Sequence, residues 1–468
     1  MKALTIAQIL EAVKRSEYQG DKLELAVTQV EFDSRKISNG TLFVPLTGGT
    51  TDGHSYIEAA IAKGATVTFW EKGHEIEAPS DQIEVIYVED TLQAFQELAH
   101  FYRQLLNPTV IGITGSNGKT TTKDMTANVL TTRFRVHKTQ GNYNNEIGVP
   151  YTILEMPEDT EVLVCEMGMS GFGEIAELSR IAEPDIAVIT LIGESHLEHL
   201  GSRAGIAQAK LEILEGVRED AVLIYPHAET LINQEWPQGV EIAKRIGVGF
   251  TEDADVYGYD LTEEQSRTYF RTNLEPDVLS MIPIMGAYNV SNALIALAVA
   301  EQLDVPTEQA IFQLAQFKLT ANRLEWLETT QGAQLLNDAY NASLTSMSSV
   351  IGTFSNLVID ETQQRSLLIG DIRELGPESE AMHRSLKDVI DASKINKVYL
   401  FGEEMGALYE ELQQTFSADN LFYEAEDHQI MINRLENTLN DKDLILVKSS
   451  FGTDLLSIVS ALTGVKTK

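Results

Sequence analysis

The run Gly118-Lys119-Thr120 carries chemistry that suits a phosphate: the lysine can reach terminal phosphates and the threonine hydroxyl can sit on a magnesium ion. Glycines stand at 112, 115 and 118, and the general phosphate-loop pattern G-x-x-x-x-G-K-[ST] would want one at 113, where Ile113 stands instead. Glu166 follows the apolar run 162–165, and a carboxylate there suits magnesium. His196, Glu198 and His199 crowd one loop; histidine is a mediocre magnesium ligand, so that loop reads equally as a polar turn with locally satisfied rings. Asp33, Ser34 and Arg35 offer a carboxylate, a hydroxyl and a guanidinium that can read a nucleotide or a sugar, or simply close a turn through an Asp–Arg pair. Lys210, alone in a helical stretch over 204–217, reads from its surroundings as a solvated surface residue.

Those side chains need elements to hold them. The apolar, β-branched run 110–114 predicts a buried strand, and a helix follows from Lys119. Strand, glycine turn and helix aim backbone N–H groups and a helix dipole at an anion. Apolar runs at 161–166, 185–191 and 221–225 alternate with helical stretches, as in a doubly wound parallel sheet, whose ligands bind beyond the carboxyl ends of the strands. The glycine turn, Glu166 and the loop 192–202 all fall at such ends. A helix capped by Asn289 and rich in Ala and Leu closes this unit. A second α/β unit has strands at 334–337, 366–369, 397–401 and 443–448, a helix over 379–392, and polar patches at 338–343 and 370–376. Ahead of both lie a short strand at 27–32 and a helix over 91–106 broken by Asn107-Pro108. The fold class is therefore α/β in three domains. Residues 1–107 form a smaller N-terminal α/β domain. Residues 108–317 form a central P-loop-type parallel sheet with helices on both faces. Residues 318–468 form a C-terminal Rossmann-like α/β domain.

With 70 acidic against 35 basic residues the net charge is -35, which argues against nucleic acid as a partner. No apolar run reaches the ~18 residues of a membrane span. The N-terminus reads as an amphipathic helix without a cleavage site. Cys165 is the one cysteine, so no internal disulfide framework forms, and a reducing cytoplasm is expected.

Taken together, several stretches resemble the Mur ligase family, the ATP-dependent amide-bond formers of bacterial cell-wall synthesis, over essentially the whole chain. Residues 114–121 look like that family's T-G-x-x-G-K-T-[ST] loop, which accounts for the displaced glycine. Further matches are Asn144-Asn-Glu-Ile-Gly-Val-Pro150, Glu166-Met-Gly-Met-Ser170, Asp338-Ala-Tyr-Asn-Ala-Ser343 with Ser346-Met347, and Gly370-Asp-Ile-Arg-Glu-Leu-Gly376.

The resemblance implies an ADP-forming ligase that joins D-alanyl-D-alanine to the terminal carboxylate of UDP-N-acetylmuramoyl-tripeptide through an acyl phosphate, acting in the cytoplasm as a monomer. It implies ATP at Gly115, Ser116, Asn117, Gly118, Lys119, Thr120, Thr121, Asn289, Asn292, Arg323 and Asp338. Magnesium would sit at Thr120, Glu166, His196 and Lys210, the last as a carbamate; Lys119, Lys210 and His196 would be catalytic. Substrate would meet Asp33, Ser34, Arg35, Asn144, Asn145, Tyr340 and Asn341. The alternatives are the preceding ligase of the family, which adds a single amino acid to the UDP-muramoyl dipeptide, and a P-loop kinase or NTPase that forms no amide. The preceding ligase typically carries a D-N-P-R motif, and none occurs here. Two departures stand out: Lys448-Ser-Ser-Phe-Gly452 has no arginine where relatives often have one, and Ser343-Leu344 lacks a following proline.

Overall fold

The computed structural model describes residues 1–49, 51–318 and 322–465. Residues 319–321, beside the expected boundary at 317, lie outside the described residues, as do Thr50 and the last three.

The central sheet is built outward from strand Thr109–Thr114. Parallel neighbours are Val162–Glu166 and Ile186–Ile189, followed outward by Val136–Lys138 on one side and Val222–Pro226, Lys244–Gly249 and Val256–Glu264 on the other. Antiparallel strands Arg267–Thr272 and Ser280–Ile282 complete the far edge. Alternation explains the unbroken apolar run. Val110 enters a core shared with Leu98, Tyr151 and Leu178, whereas Ile111 and Ile113 enter another with Met125, Val290 and Leu294. A strand covered on both faces has no polar side to show.

The N-terminal sheet joins parallel strands Gln29–Glu31, Thr41–Phe43, Ala65–Glu71 and Glu84–Val88 with antiparallel Glu17–Tyr18. Helix Thr91–Leu106 ends at Asn107, whose φ of 47° is left-handed, just ahead of Pro108. It packs on the N-terminal sheet and also on the central helices Gly148–Leu154 and Glu174–Ala182. The C-terminal sheet is parallel through Gln334–Asp338, Asp443–Lys448, Gln364–Gly370, Lys397–Phe401 and Leu421–Glu424, with Glu325–Glu328 antiparallel at its edge. Helices cover both of its faces.

Several elements differ from expectation. The helix expected over 379–392 is α-helical only at Ser379–Ser385, tightens to a 3-10 turn at Leu386–Val389 and then stops. The stretch 204–217 likewise divides into helix Arg203–Leu211 and a 3-10 turn. Asn289 is not a cap: helix Ala287–Gln302 begins after Gly286, and the Asn289 amide donates back to the Met285 carbonyl at 2.8 Å.

Candidate active site

Gly115 and Gly118 have φ of 147° and 82°, and a Cβ would lie 2.0 Å from Thr190 Oγ1 in the first case and 2.6 Å from Asn292 Oδ1 in the second. Only glycine fits either place. The turn delivers the chain into helix Lys119–Leu130, whose first turn carries no acid, and no side chain among the described residues caps it, so none competes with an anion for its leading N–H groups. Lys119 donates to the Gly115 carbonyl at 2.7 Å, and burial lowers its pKa.

Beside this turn lies Glu166, buried at the end of its strand. Its Oε1 accepts from the Thr120 hydroxyl (3.3 Å) and the Asn144 amide (2.9 Å). Its Oε2 has no hydrogen-bond partner among the described residues and lies 3.7 Å from the Lys123 ammonium. Lys123 escaped the sequence reading. It follows Lys119 by four residues, which puts both lysines on one helix face, and that periodicity is the signal that would have found it.

One cavity of about 390 Å³ is lined by most of the expected residues. From the central sheet come Ser116, Asn117, Gly118, Lys119, Thr120, Thr121, Asn144 and Glu166. From helix Ala287–Gln302 come Asn289 and Asn292, joined to each other at 3.1 Å, and also Tyr288, which the sequence reading did not single out. The C-terminal domain supplies Arg323, Asp338, Tyr340 and Asn341. Arg323 stacks on the Tyr340 ring, 4.7 Å from its centre, and donates to Thr120 Oγ1 at 3.2 Å. Lys448 ties Asp338 (2.5 Å) to the Asn341 carbonyl (2.9 Å). The exposed Phe451 ring lies 5.8 Å from that of Tyr340.

The two halves are latched. Asn117 donates to Ser343 Oγ at 2.8 Å, and Thr345 Oγ1 donates to Glu194 at 2.5 Å. His196, in a left-handed conformation with φ 62°, pairs through Nδ1 with the Glu374 carboxylate and holds that carboxyl below its usual range. The His196 loop is anchored to the phosphate turn, since Gly193 N–H donates to Ser116 Oγ at 2.9 Å.

Lys210 is no surface residue. It is fully buried, its Nζ has no hydrogen-bond partner among the described residues, and burial followed by the Lys119 charge drives its pKa well below the ordinary value. Neither Lys210 nor His196 lines the cavity itself.

The remaining expected residues lie apart. Asn145 Oδ1 accepts from Gly148 N–H at 2.9 Å, at the start of helix Gly148–Leu154. Arg35 grips Asp33 with two nitrogens (2.9 and 2.8 Å), and the Asp33 carboxyl falls to about 2, chiefly through that hydrogen bond. That is the turn-closing geometry; Ser34 sits within it, and the Arg35 guanidinium stays exposed. Farther along the same domain, Asp52 accepts from His54 Nδ1 (2.8 Å), and its other oxygen lies 3.1 Å from His74 Nε2. His74 Nδ1 accepts the Ile76 N–H at 3.1 Å, and its ring stacks on that of His54, 3.9 Å between centres.

A glycine turn opening a helix, a lysine, a buried carboxylate and a roof of Arg323 and Asp338 suit an enzyme that binds a nucleoside triphosphate. Residues 26–103 match the catalytic domain of the Mur ligase family, 113–300 the Mur ligase middle domain, and 322–451 the Mur ligase glutamate ligase domain. The chain is 41% identical over 458 residues to the UDP-N-acetylmuramoyl-tripeptide–D-alanyl-D-alanine ligase of Bacillus subtilis (strain 168), covering 98% of both chains. It is 31% identical to the Escherichia coli (strain K12) ligase of the same name, covering 99% of each. Among solved structures, MurF from Acinetobacter baumannii superposes with a TM-score of 0.86 at 26% identity, over 99% of this chain and 100% of that one. MurF ligase from Thermotoga maritima in complex with ADP gives 0.80 at 26%, over 93% and 97%. The chain belongs to the Mur ligase family, and it is an ATP-dependent, amide-forming ligase.

Proposed function

We propose that this chain joins D-alanyl-D-alanine to the terminal carboxylate of UDP-N-acetylmuramoyl-tripeptide, releasing ADP and phosphate. The observation that carries the reading is the 41% identity to a ligase of that name across the whole length, on a site whose phosphate turn and roof are both in place. The tripeptide carboxylate attacks the γ-phosphorus of ATP, the β–γ bridge breaks and an acyl phosphate forms. The dipeptide amine then attacks the acyl carbon, a proton leaves the nitrogen and phosphate departs. Two anions meet in the first step, so positioned positive charge dominates. Lys119 supplies it by leaving the Gly115 carbonyl for the phosphates, N–H groups at the start of helix Lys119–Leu130 hold the oxygens, and Arg323 approaches from the roof.

Magnesium fits here. The unpartnered, buried Glu166 Oε2 and the adjacent Thr120 hydroxyl are hard oxygen donors. Thr120, Glu166, His196 and a Lys210 carbamate would hold it, and bound magnesium supplies further charge neutralisation on the phosphates. Carbon dioxide reacts with an uncharged amine, and burial favours that form of Lys210: the N–C bond forms and one proton leaves.

In this reading residues 1–107 receive the UDP end, with Asp33, Ser34 and Arg35 near it, 108–317 bind ATP, and 318–468 close over ATP and bring in the dipeptide. Asn144, Tyr340 and Asn341 face the cavity where carboxylate and amine meet. The reaction belongs to peptidoglycan precursor synthesis in the cytoplasm, by a monomeric chain.

Phosphate release measured with each substrate omitted in turn tests this. Release is expected only when the UDP-linked tripeptide and D-alanyl-D-alanine are both present. Equal ATP turnover without either overturns the reading in favour of an NTPase, and a preference for single amino acids on the UDP-linked dipeptide favours the preceding ligase of the family.

A further inference from the structure

Asp338 and Lys448 end neighbouring parallel strands and stand opposite one another in register, at the carboxyl edge of the C-terminal sheet, where both line the nucleotide cavity. Their side chains are 16% and 4% exposed, so the ammonium is almost out of water and depends on its two acceptors. It donates to Asp338 Oδ2 at 2.5 Å and to the Asn341 carbonyl at 2.9 Å. Each bond has a consequence. The first engages Oδ2 alone, and Asp338 Oδ1 accepts from none of the described residues. The second draws residues 338–341 into a turn around one ammonium. Tyr340 lies within that turn, and its ring is the surface on which the Arg323 guanidinium rests as it reaches Thr120.

An ionised carboxylate only accepts, so Asp338 Oδ1 suits a donor. The ionised phosphates of a nucleotide offer none; its sugar hydroxyls do, and acidic side chains in nucleotide-binding α/β sheets read them. We propose that Lys448 is a positioning residue of the nucleotide site: it fixes Asp338 so that one oxygen is left for the sugar hydroxyls, and it seats Tyr340 against Arg323. Its own ammonium is committed to Asp338 and Asn341, and it acts through the side chains that this turn carries. This rests on the assignment of Asp338 and Arg323 to the nucleotide given above.

Calorimetric titration of the full-length chain with ADP and with 2′,3′-dideoxy-ADP, each with magnesium, tests it. The wild type is expected to prefer ADP by about tenfold or more, the scale of hydrogen bonds to a charged group. Asp338→Asn and Lys448→Met are each expected to lose that preference, and the double variant is expected to bind ADP no more weakly than Lys448→Met alone. A direct contact between Lys448 and the nucleotide predicts instead that Lys448→Met weakens both ligands equally and keeps the preference. A pair that merely stabilises the fold predicts a lower melting temperature with the preference kept. Either outcome overturns the proposal, and if Asp338→Asn has lost the preference in the same series, the assignment of Asp338 to the nucleotide stands. No preference in the wild type, or one that Asp338→Asn keeps, ends that assignment and takes the proposal with it. Should Lys448→Met fail to fold, Lys448→Gln carries the same comparison, because its neutral, shorter side chain does not bridge Asp338 and Asn341.

Discussion

Lys210 shows how far a single residue departs from its surroundings in sequence. Its stretch reads as a helix with a solvated lysine, but the fold buries the amine completely and gives its Nζ no hydrogen-bond partner among the described residues. An unpaired buried charge is costly, and burial pulls the pKa of the amine well below its ordinary value. Two consequences separate cleanly. Lys210→Ala is expected to lose activity by about 10²–10³-fold, the cost of a positioned charge, and to recover part of it with a small carboxylic acid. Full activity in that variant ends the carbamate role. Lys210→Met, by contrast, is expected to be at least as stable as the wild type in carbon dioxide-depleted buffer near neutral pH. The sign follows from linkage: the unfolded chain binds a proton at Lys210 that the folded chain releases, so wild-type stability rises with pH toward the ordinary lysine range and the gap between the two proteins closes. Melting curves across that range read it directly.

At the scale of elements, the phosphate turn carries its design in two glycines, and there the sequence was most legible. Gly118→Ala forces a side chain into a left-handed conformation against Asn292, and the expected loss is about 1–2 kcal/mol of stability together with nucleotide affinity. Thermal melting and ADP titration check it, and an alanine variant unchanged in both contradicts the packing argument. The parallel strands and the positions of Glu166 and Asp338 were readable because buried strands in such sheets are continuous apolar runs whose ends take polar residues. What was not readable depended on partners distant in sequence. Asn289 has the type of a helix cap, but the Met285 carbonyl and Asn292 claim its amide. Asn145 lies in a stretch that resembles the family's, yet it bonds the start of a helix. Glu374 stood in a flagged polar patch, but nothing in the chain order tied it to His196, 178 positions earlier by subtraction of their numbers. Edge strands such as Glu325–Glu328 were missed because their half-exposed residues lack the buried signature.

The whole molecule is less divisible than its separate sheets suggest. One core runs from Leu4, Val67 and Phe95 in the N-terminal domain to Val110 and Leu178 in the central one, and another runs from Ile111 to Met347 and Ile351 in the C-terminal domain. Urea unfolding followed by two probes, one on each side of Asn107, is therefore expected to give coincident transitions for the N-terminal and central parts. A separate, earlier melt of residues 1–107 counts against the shared core. A fragment beginning at 108 is expected to bind a hydrophobic dye that the intact chain does not.

The helix Thr91–Leu106 gives this a meaning beyond stability. It closes the first sheet, yet one of its faces is fitted to the helices Gly148–Leu154 and Glu174–Ala182. A recombination event that exchanged N-terminal domains between two ligases at Asn107 would carry that face away from the surfaces it matches. New substrate specificity in such a chain is thus more readily acquired by change within the loops of the first sheet than by importing a foreign domain whole, and the seam along this helix is inherited with both of its neighbours.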